Sequence, residues 1–384
     1  LLASALPEAL RRTPDAESLV TEIRSAVDRF QKAITTGDKQ CIREAHIAAK
    51  AMDNSANYEQ LLRDYERLKP WFPQASQIDP AKIEPELHLV TPGSREERLF
   101  RVCRGFWSMP YSKGYGRRLR YVVFDGYHNA VIGIIGLHSA AADLACRDQY
   151  LGFKKGQSGK LAVINSTLDA YTLGATPPYA ALLGGKLIAG LTATETIRRD
   201  YWRTYGSKKT VLRDERLAQP LVAVTTASAY GRSSIYNRLS YQGRPLAKPI
   251  GFTKGFGTIH LESIYPRIEA WLKKVNLYVP PGFGNGPKVR WQNVSRALLA
   301  LDLPRSFLKH GLLREVFILE HVSNLRQVCI DGAIPRPVAF DAVDWASYWK
   351  ERWALPRSHR DPTWREIDTD TTIRAGLTNG LPSV

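Results

Sequence analysis

Apolar residues recur every three or four positions through residues 15–69. Val20, Ile23, Val27, Phe30 and Ile34 form one stripe, Ile42, Ala45, Ala49 and Met52 a second, and Tyr58, Leu62, Tyr65 and Leu68 a third that stops at Pro70. That spacing predicts three helices, each with one face turned inward, in an N-terminal helical region over 1–70. Prolines at 70, 73, 80, 85 and 92 then break the periodicity, which predicts a linker over 71–100.

From Tyr121 to Thr258 the pattern changes. Tyr121-Val-Val-Phe-Asp125 and Ala130-Val-Ile-Gly-Ile-Ile-Gly136 are β-branched runs joined by Gly126-Tyr-His-Asn129, the signature of a hairpin. Leu137 to Leu151 is expected to form a helix or irregular cover. Lys160 to Asn165 and Leu221 to Thr225 are expected as strands, Pro177 to Tyr205 as one long helix, and Ala229 to Tyr241 as a tyrosine-bearing turn with a short helix. Strand pair, strand, helix, strand is an α+β order, assigned to a core over 101–262. The remainder, 263–384, is expected to be mostly helical, at Ile264–Val275, Val294–Leu301 and Phe307–Val328, with a basic, tryptophan-rich tail from Trp345 to Arg365.

Composition adds a partner class. With 54 Lys and Arg against 37 Asp and Glu the net charge is +17, and a surface of that sign suits phosphate polymers. The charge is gathered in two acid-free stretches. The first, 101–120, carries Arg101, Arg104, Lys113, Arg117, Arg118 and Arg120, with Phe106, Trp107, Tyr111 and Tyr115 among them. The second, 229–259, carries Arg232, Arg238, Arg244, Lys248 and Lys254, with Tyr230, Tyr236, Tyr241, Phe252 and Phe256. Cations alternating with flat rings point to DNA or RNA, the cations on phosphates and the rings, Trp107 included, on bases. The two stretches are expected to converge on one groove.

No apolar run approaches the about 20 residues that a membrane helix needs. Cys41, Cys103, Cys146 and Cys329 are scattered without a CxxC pair, which argues against a zinc site or disulfide framework and for the reducing cytoplasm. The chain begins at Leu1, which leaves room for an upstream piece. HExxH, GxSxG and Walker-type motifs are absent. Gly184-Gly185-Lys186 lies in an apolar segment and is expected as a close-packing site, and the dispersed His310 and His321 as core or surface residues. No metal site is expected, although a metal-dependent nuclease drawing on Asp125, Asp148 and Glu262 is an alternative. Arg147 and Asp148 are expected to form a structural ion pair.

The order of elements from Tyr121 to Tyr241 resembles the GNAT-type N-acetyltransferase core. That resemblance implies Tyr236, within Ser234-Ile-Tyr-Asn-Arg-Leu-Ser-Tyr241, as a general acid for the departing thiolate of an acyl or aminoacyl transfer. It also implies a coenzyme A pyrophosphate site near Gly174 to Leu183. This chain departs there: it reads Gly174-Ala-Thr-Pro-Pro-Tyr-Ala, and Pro177 and Pro178 have no N–H to give. Acetyl-coenzyme A is accordingly disfavoured, and no cofactor is expected.

A closer resemblance covers residues of about 100 to 330. Leu119-Arg-Tyr-Val-Val-Phe-Asp125, Arg147-Asp-Gln-Tyr-Leu-Gly-Phe153, Asn165-Ser-Thr167, Tyr230-Gly-Arg-Ser-Ser-Ile-Tyr236, Gly251-Phe-Thr-Lys-Gly255 and Lys309-His-Gly-Leu-Leu-Arg314 together resemble the Druantia anti-phage protein family DruA. The resemblance implies a role in bacterial defence or on mobile elements, acting on or sensing DNA; other defence proteins are a further expected partner class. It supplies no catalytic residues.

Overall fold

Thr13 starts the first helix by accepting the Ala16 N–H on its side chain, Pro14 suits the first turn, and Gly37 ends the helix at φ 71°. The structure is a computed structural model and describes residues 13–54, 58–107, 116–154, 157, 159–210, 214–217, 219–280 and 288–378. The three stripes are helices α1 (Pro14–Thr36), α2 (Lys39–Asn54) and α3 (Tyr58–Leu68). Within 71–100 the chain makes 3-10 turns and an edge strand, β1 (Pro85–Leu89), and then enters α4 (Arg95–Phe106). Ser94 caps α4 by accepting from the Glu97 N–H. Ser-x-x-Glu is a helix-start signal that the cationic character of the stretch overshadows.

β2 (Arg118–Asp125) and β3 (Ala130–Ser139) form the predicted hairpin. After α5 (Ala145–Leu151), the run at 160–165 is a short helix, α6 (Lys160–Ile164), and not the expected strand. Four apolar residues in a row do not distinguish helix from strand; the strand β4 follows at Thr167–Ala175, where polar and apolar residues mix. The expected long helix is divided. Residues 177–183 are turns, and α7 (Gly184–Leu191) is separated from α8 (Glu195–Tyr205) where the Thr192 and Thr194 hydroxyls donate to the carbonyls of Ala189 and Leu191. Next come β5 (Ala223–Ala227), the small hairpin β6 (Ser240–Tyr241) and β7 (Arg244–Pro245), and β8 (Lys248–Phe252). Two helices follow, α9 (Tyr265–Lys274) and α10 (Lys288–Ala300). The expected helix over 307–328 is instead β9 (Glu315–Glu320), then α11 (Leu325–Asp331). Its apolar run is that of a strand buried on both faces. The chain closes with α12 (Ala342–Trp349), α13 (Leu355–Arg360) and α14 (Thr369–Thr378).

The fold is α+β, around a seven-stranded mixed sheet of order β1-β2-β3-β4-β5-β9-β8. Among the described residues only β4 and β5 run parallel, and they pair over Thr167–Ala170 and Ala223–Thr226. Beyond Ala170, β4 continues to Ala175 without β5. Alternation along β2 sends Tyr121 and Val123 to one face, and Val122 and Phe124 to the other. The first face is covered by α7, α8 and α12, with Trp345 and Trp349 fully buried. The second carries two separate apolar clusters. One packs α3, α4 and α14 over β2 and β3; the other packs α5 and α11 over β5 and β9.

Candidate nucleic-acid interface

The ends of β5 and β8 and the start of β9 lie at one end of the sheet, with Ala227 opposite Val316 and Phe252 opposite Glu315. The loops leaving them are stitched together by backbone hydrogen bonds. Glu315 N–H donates to Gly231 O (2.9 Å), Thr253 N–H to Arg314 O (2.9 Å), Gly311 N–H to Gly255 O (3.1 Å) and Gly257 N–H to Leu308 O (3.0 Å). Gly255, at φ +68°, makes the crossing feasible, because a Cβ there would meet Gly311 backbone atoms at 3.1 Å.

This crossing brings Arg232, Lys254 and Lys309 to one exposed lip with three apolar side chains: Phe256 is 55 % exposed, Leu313 51 % and Phe252 44 %. Among the described residues no acid pairs with the three cations. Lys309 carries no weight in the charge reading of the sequence because it lies outside both acid-free stretches; only its backbone pairing with Phe256 places it here.

Behind the lip the chain is also cationic. Arg314 donates from Nε to Ser228 O (2.5 Å) and from Nη2 to Ala227 O (3.2 Å). His46, reaching in from α2, lies 3.3 Å by Nε2 from Ala229 O and edge-on to Tyr230. Burial first, then the Arg314 charge, lowers the His46 pKa to about 4. Burial likewise lowers His260 to about 4 and lowers His310, whose ring centroid is 5.9 Å from that of His260. At neutral pH these imidazoles are uncharged and pack as part of the joint between α1, α2 and the lip, beside Phe30.

The other cations of the second stretch are divided. Arg238 and Arg244 are exposed, the latter at the β6–β7 turn, whereas Lys248 pairs with Glu320 at 2.6 Å. Tyr230 is half-buried against His46. Tyr236 is buried against Phe317, its hydroxyl 3.3 Å from Thr226 Oγ1, and burial raises its pKa. Lys186 Nζ donates to the carbonyls of Ser234, Ile235 and Asn237 and fastens this loop to α7.

The first stretch is largely engaged inside the protein. Arg101 pairs with Asp64 at 2.7 Å and Arg120 with Glu97 at 2.9 Å. Arg117 donates to Asn165 Oδ1, and Arg104 is buried with its guanidinium 5.6 Å from the Tyr171 ring centre. Trp107 lies against Gly174, and Arg118 is exposed. Tyr111 and Lys113 lie outside the described residues. Four strands separate β2 from β8, about 24 Å at the usual strand spacing. Arg118 falls in the register row of His138, Asp169, Thr225 and Ile318, two residues short of Ala227, where the lip begins. The β2 cations of the first stretch therefore stand apart from the lip, because their strands are not sheet neighbours, whereas Arg104 and Trp107 lie nearer, over β4.

In the turn before α7, the N–H groups of Ala180, Ala181, Leu182, Leu183 and Gly184 donate to carbonyls within the same turn. The three carboxylates weighed for a nuclease sit on different elements. Asp125 accepts from His128, Tyr179 and the Glu84 N–H; Asp148 pairs with Arg147 and Lys160; Glu262 pairs with Arg290. Among the described residues no group of three or more His, Cys, Asp or Glu is placed to hold a metal ion. Arg147 is fully buried, and besides Asp148 it serves the Ala141 carbonyl, as a structural pair should. No described helix is long and apolar enough to cross a membrane.

Comparison with known proteins gives a consistent result. The family profile described as Druantia protein DruA matches residues 36–331. Druantia protein DruA of Escherichia coli (strain UMEA 4076-1) is 35 % identical over 333 residues, covering 85 % of this chain and 82 % of its own length. No solved structure matches.

Proposed function

The chain belongs to the family of Druantia protein DruA and so has a role in an anti-phage defence system, in which we propose that it binds nucleic acid, DNA first of all, along the cationic lip. The carrying observation is the convergence of Arg232, Lys254 and Lys309, which pair with no acid among the described residues, beside the exposed rings of Phe252 and Phe256. Cations on a rigid glycine-crossed frame neutralise phosphates, and exposed rings stack bases without regard to sequence. Other proteins of the same system are its expected partners.

Binding of a labelled oligonucleotide across a salt series tests the proposal. Affinity should fall linearly on logarithmic axes, and replacing the three lip cations by alanine should flatten the line. A line unchanged by those substitutions would remove the lip as the contact.

We also infer a GNAT-like core. Its support is the succession of hairpin β2–β3, strand β4, helices α7 and α8, strand β5 and the Tyr236 turn, with β4 and β5 the one parallel pair. Acyl transfer draws less support from the same region. Tyr236 is enclosed, and the turn before α7 spends its N–H groups internally. Calorimetry with acetyl-coenzyme A separates the two: micromolar binding would favour the transferase.

A further inference from the structure

Two helical faces meet beside the β2–β3 hairpin and leave a space between them. On α3 and the 3-10 turn that continues it, Lys69–Trp71, the residues Asp64, Arg67, Leu68 and Trp71 recur at helical spacing and share one face. On α4, Arg95 and Arg98 stand one turn apart. These six residues line a cavity of about 180 Å³.

The inner wall is fixed. Asp64 and Leu68 are buried, and both carboxylate oxygens of Asp64 are committed, Oδ2 to Arg101 Nη2 at 2.7 Å and Oδ1 to Gln60 Nε2 at 2.9 Å. Arg95 is laid on two rings, its guanidinium 5.3 Å from the Trp71 ring centre and 5.0 Å from that of Phe124. Its Nε and Nη2 donate to Glu96 Oε1, which leaves Nη1.

The rim is not spent. Arg67 and Arg98 are exposed, and among the described residues neither has a hydrogen bond or an ion pair. Along α4 the arginines at 95, 98 and 101 form a row. Its outer members hold Glu96 and Asp64, and the middle one holds no acid. Like charges lining one cavity raise each other's cost, and an anion placed between them relieves it.

Size and charge select what enters. Pockets for drug-sized ligands run to about 300–1,000 Å³, so a whole nucleotide is too large here, whereas one tetrahedral oxyanion is not. Guanidinium forks from two helices suit a group with three charged oxygens better than a planar carboxylate, which a single fork satisfies. The surrounding surface is mixed: Glu66 adjoins Arg67, Glu96 adjoins Arg95, and Asp370 pairs with Lys69. A continuous phosphate backbone gains little over such ground, and one charged group set into the cavity gains most.

We propose that this cavity binds one phosphate monoester, with Arg67 and Arg98 closing on its oxygens, Nη1 of Arg95 as a further donor, and Leu68 and Trp71 as the apolar wall. The phosphate is either free or the 5′ end of a nucleic-acid strand, and the recognition chemistry is common to both. Only the second source rests on the nucleic-acid reading, and the site shares no residue with the lip.

Calorimetric titration of the full chain at constant ionic strength tests it, with inorganic phosphate, with acetate, and with one oligonucleotide carrying either a 5′-phosphate or a 5′-hydroxyl. The arms are wild type, Arg67→Gln with Arg98→Gln, and Lys254→Gln with Lys309→Gln, a lip pair that removes the same net charge. Saturable binding of phosphate, weakened about tenfold or more in the arginine pair, the scale of one charged hydrogen bond lost, and unchanged in the lip pair, is the expected result. Both arginines are exposed, so the melting temperature without ligand should stay at the wild-type value, and a loss of affinity then reads binding and not folding. A 5′-phosphate that tightens oligonucleotide binding in wild type but not in the arginine pair upholds the site and assigns the phosphate to a strand end. Oligonucleotides that bind alike, or not at all, while phosphate still saturates assign it to a free ligand. No saturable phosphate binding at millimolar concentration together with no effect of the 5′-phosphate, binding indifferent to the arginine pair, or acetate bound as tightly as phosphate would overturn the proposal.

Discussion

Gly311 donates its N–H to the carbonyl of Gly255 at 3.1 Å, and the same pair is so close that a side chain on Gly255 would press on the Gly311 backbone. The lip depends on that contact. Gly255→Val should therefore cost more than the strain of its positive φ alone. Gly243, at φ +78° with open space around it, provides the comparison. Gly243→Ala should cost about 1 kcal/mol from left-handed strain, and Gly255→Val about 2–4 kcal/mol once the steric penalty is added. Urea unfolding of both variants checks the difference, and oligonucleotide affinity should drop only in the second.

The lip cations and the engaged cations should separate cleanly. Replacing Arg232, Lys254 and Lys309 together by alanine should lower the logarithmic salt slope of DNA binding by about 2–3, one phosphate contact per cation. Arg101→Ala and Arg120→Ala remove residues already paired with Asp64 and Glu97. They should leave the slope in place; Arg120→Ala should cost at most about 1 kcal/mol, and Arg101→Ala about 1–3 kcal/mol, because it leaves the buried Asp64 carboxylate without its cation.

Acid should loosen the joint behind the lip. His46 and His260 have folded pKa values lowered to about 4 from 6.5 by burial, and His321, buried beside the Thr192 carbonyl, is lowered to about 4 as well. A lowered folded pKa means that the unfolded chain binds more protons between pH 4 and 6.5. Stability is thus complete above pH 6.5 and is lost as pH falls toward 4, by up to about 3 kcal/mol per histidine. His46→Phe should reduce the steepness of that loss, measured by chemical denaturation along a pH series. A curve as steep as wild type would mean that His46 is not among the titrating groups.

The tryptophan tail should behave as core. Trp345 is fully buried and donates from Nε1 to Leu187 O at 2.9 Å, and a Cβ on Gly190 would fall inside its ring. Trp345→Ala should cost about 3–5 kcal/mol. Gly190→Ala, although a smaller change, should destabilise comparably, since neither the helix nor the ring has room to move. Thermal unfolding of the two variants tests this; a melting temperature near wild type for Gly190→Ala would show that α12 is free to shift.

Local sequence determined the elements whose signals are complete within one segment. The stripes of α1, α2 and α3 repeat at helical spacing, Thr13 and Gly37 mark helix ends, and the β2–β3 hairpin has alternating runs about a short turn. The excess of cations and its concentration near 229–259 were legible too. Runs such as Leu161–Ile164 and Val316–Leu319 were not, because an apolar tetrad fits a helix or a doubly buried strand equally, and only its neighbours decide.

Tertiary structure alone decided which charges face water. Nothing in the sequence distinguishes Arg120, held by Glu97, from Arg232, held by no acid among the described residues, because the acids that pair with Arg101 and Arg120 lie outside the first stretch. Nor does it place Lys309 opposite Phe256, or His138 opposite Asp169, since both relationships arise from hydrogen-bond registers between segments apart in the chain. Periodicity and charge are properties of a stretch, whereas a binding surface is a property of the pairing between stretches. For this protein that pairing was decided by the strand order and by β5 parting from β4.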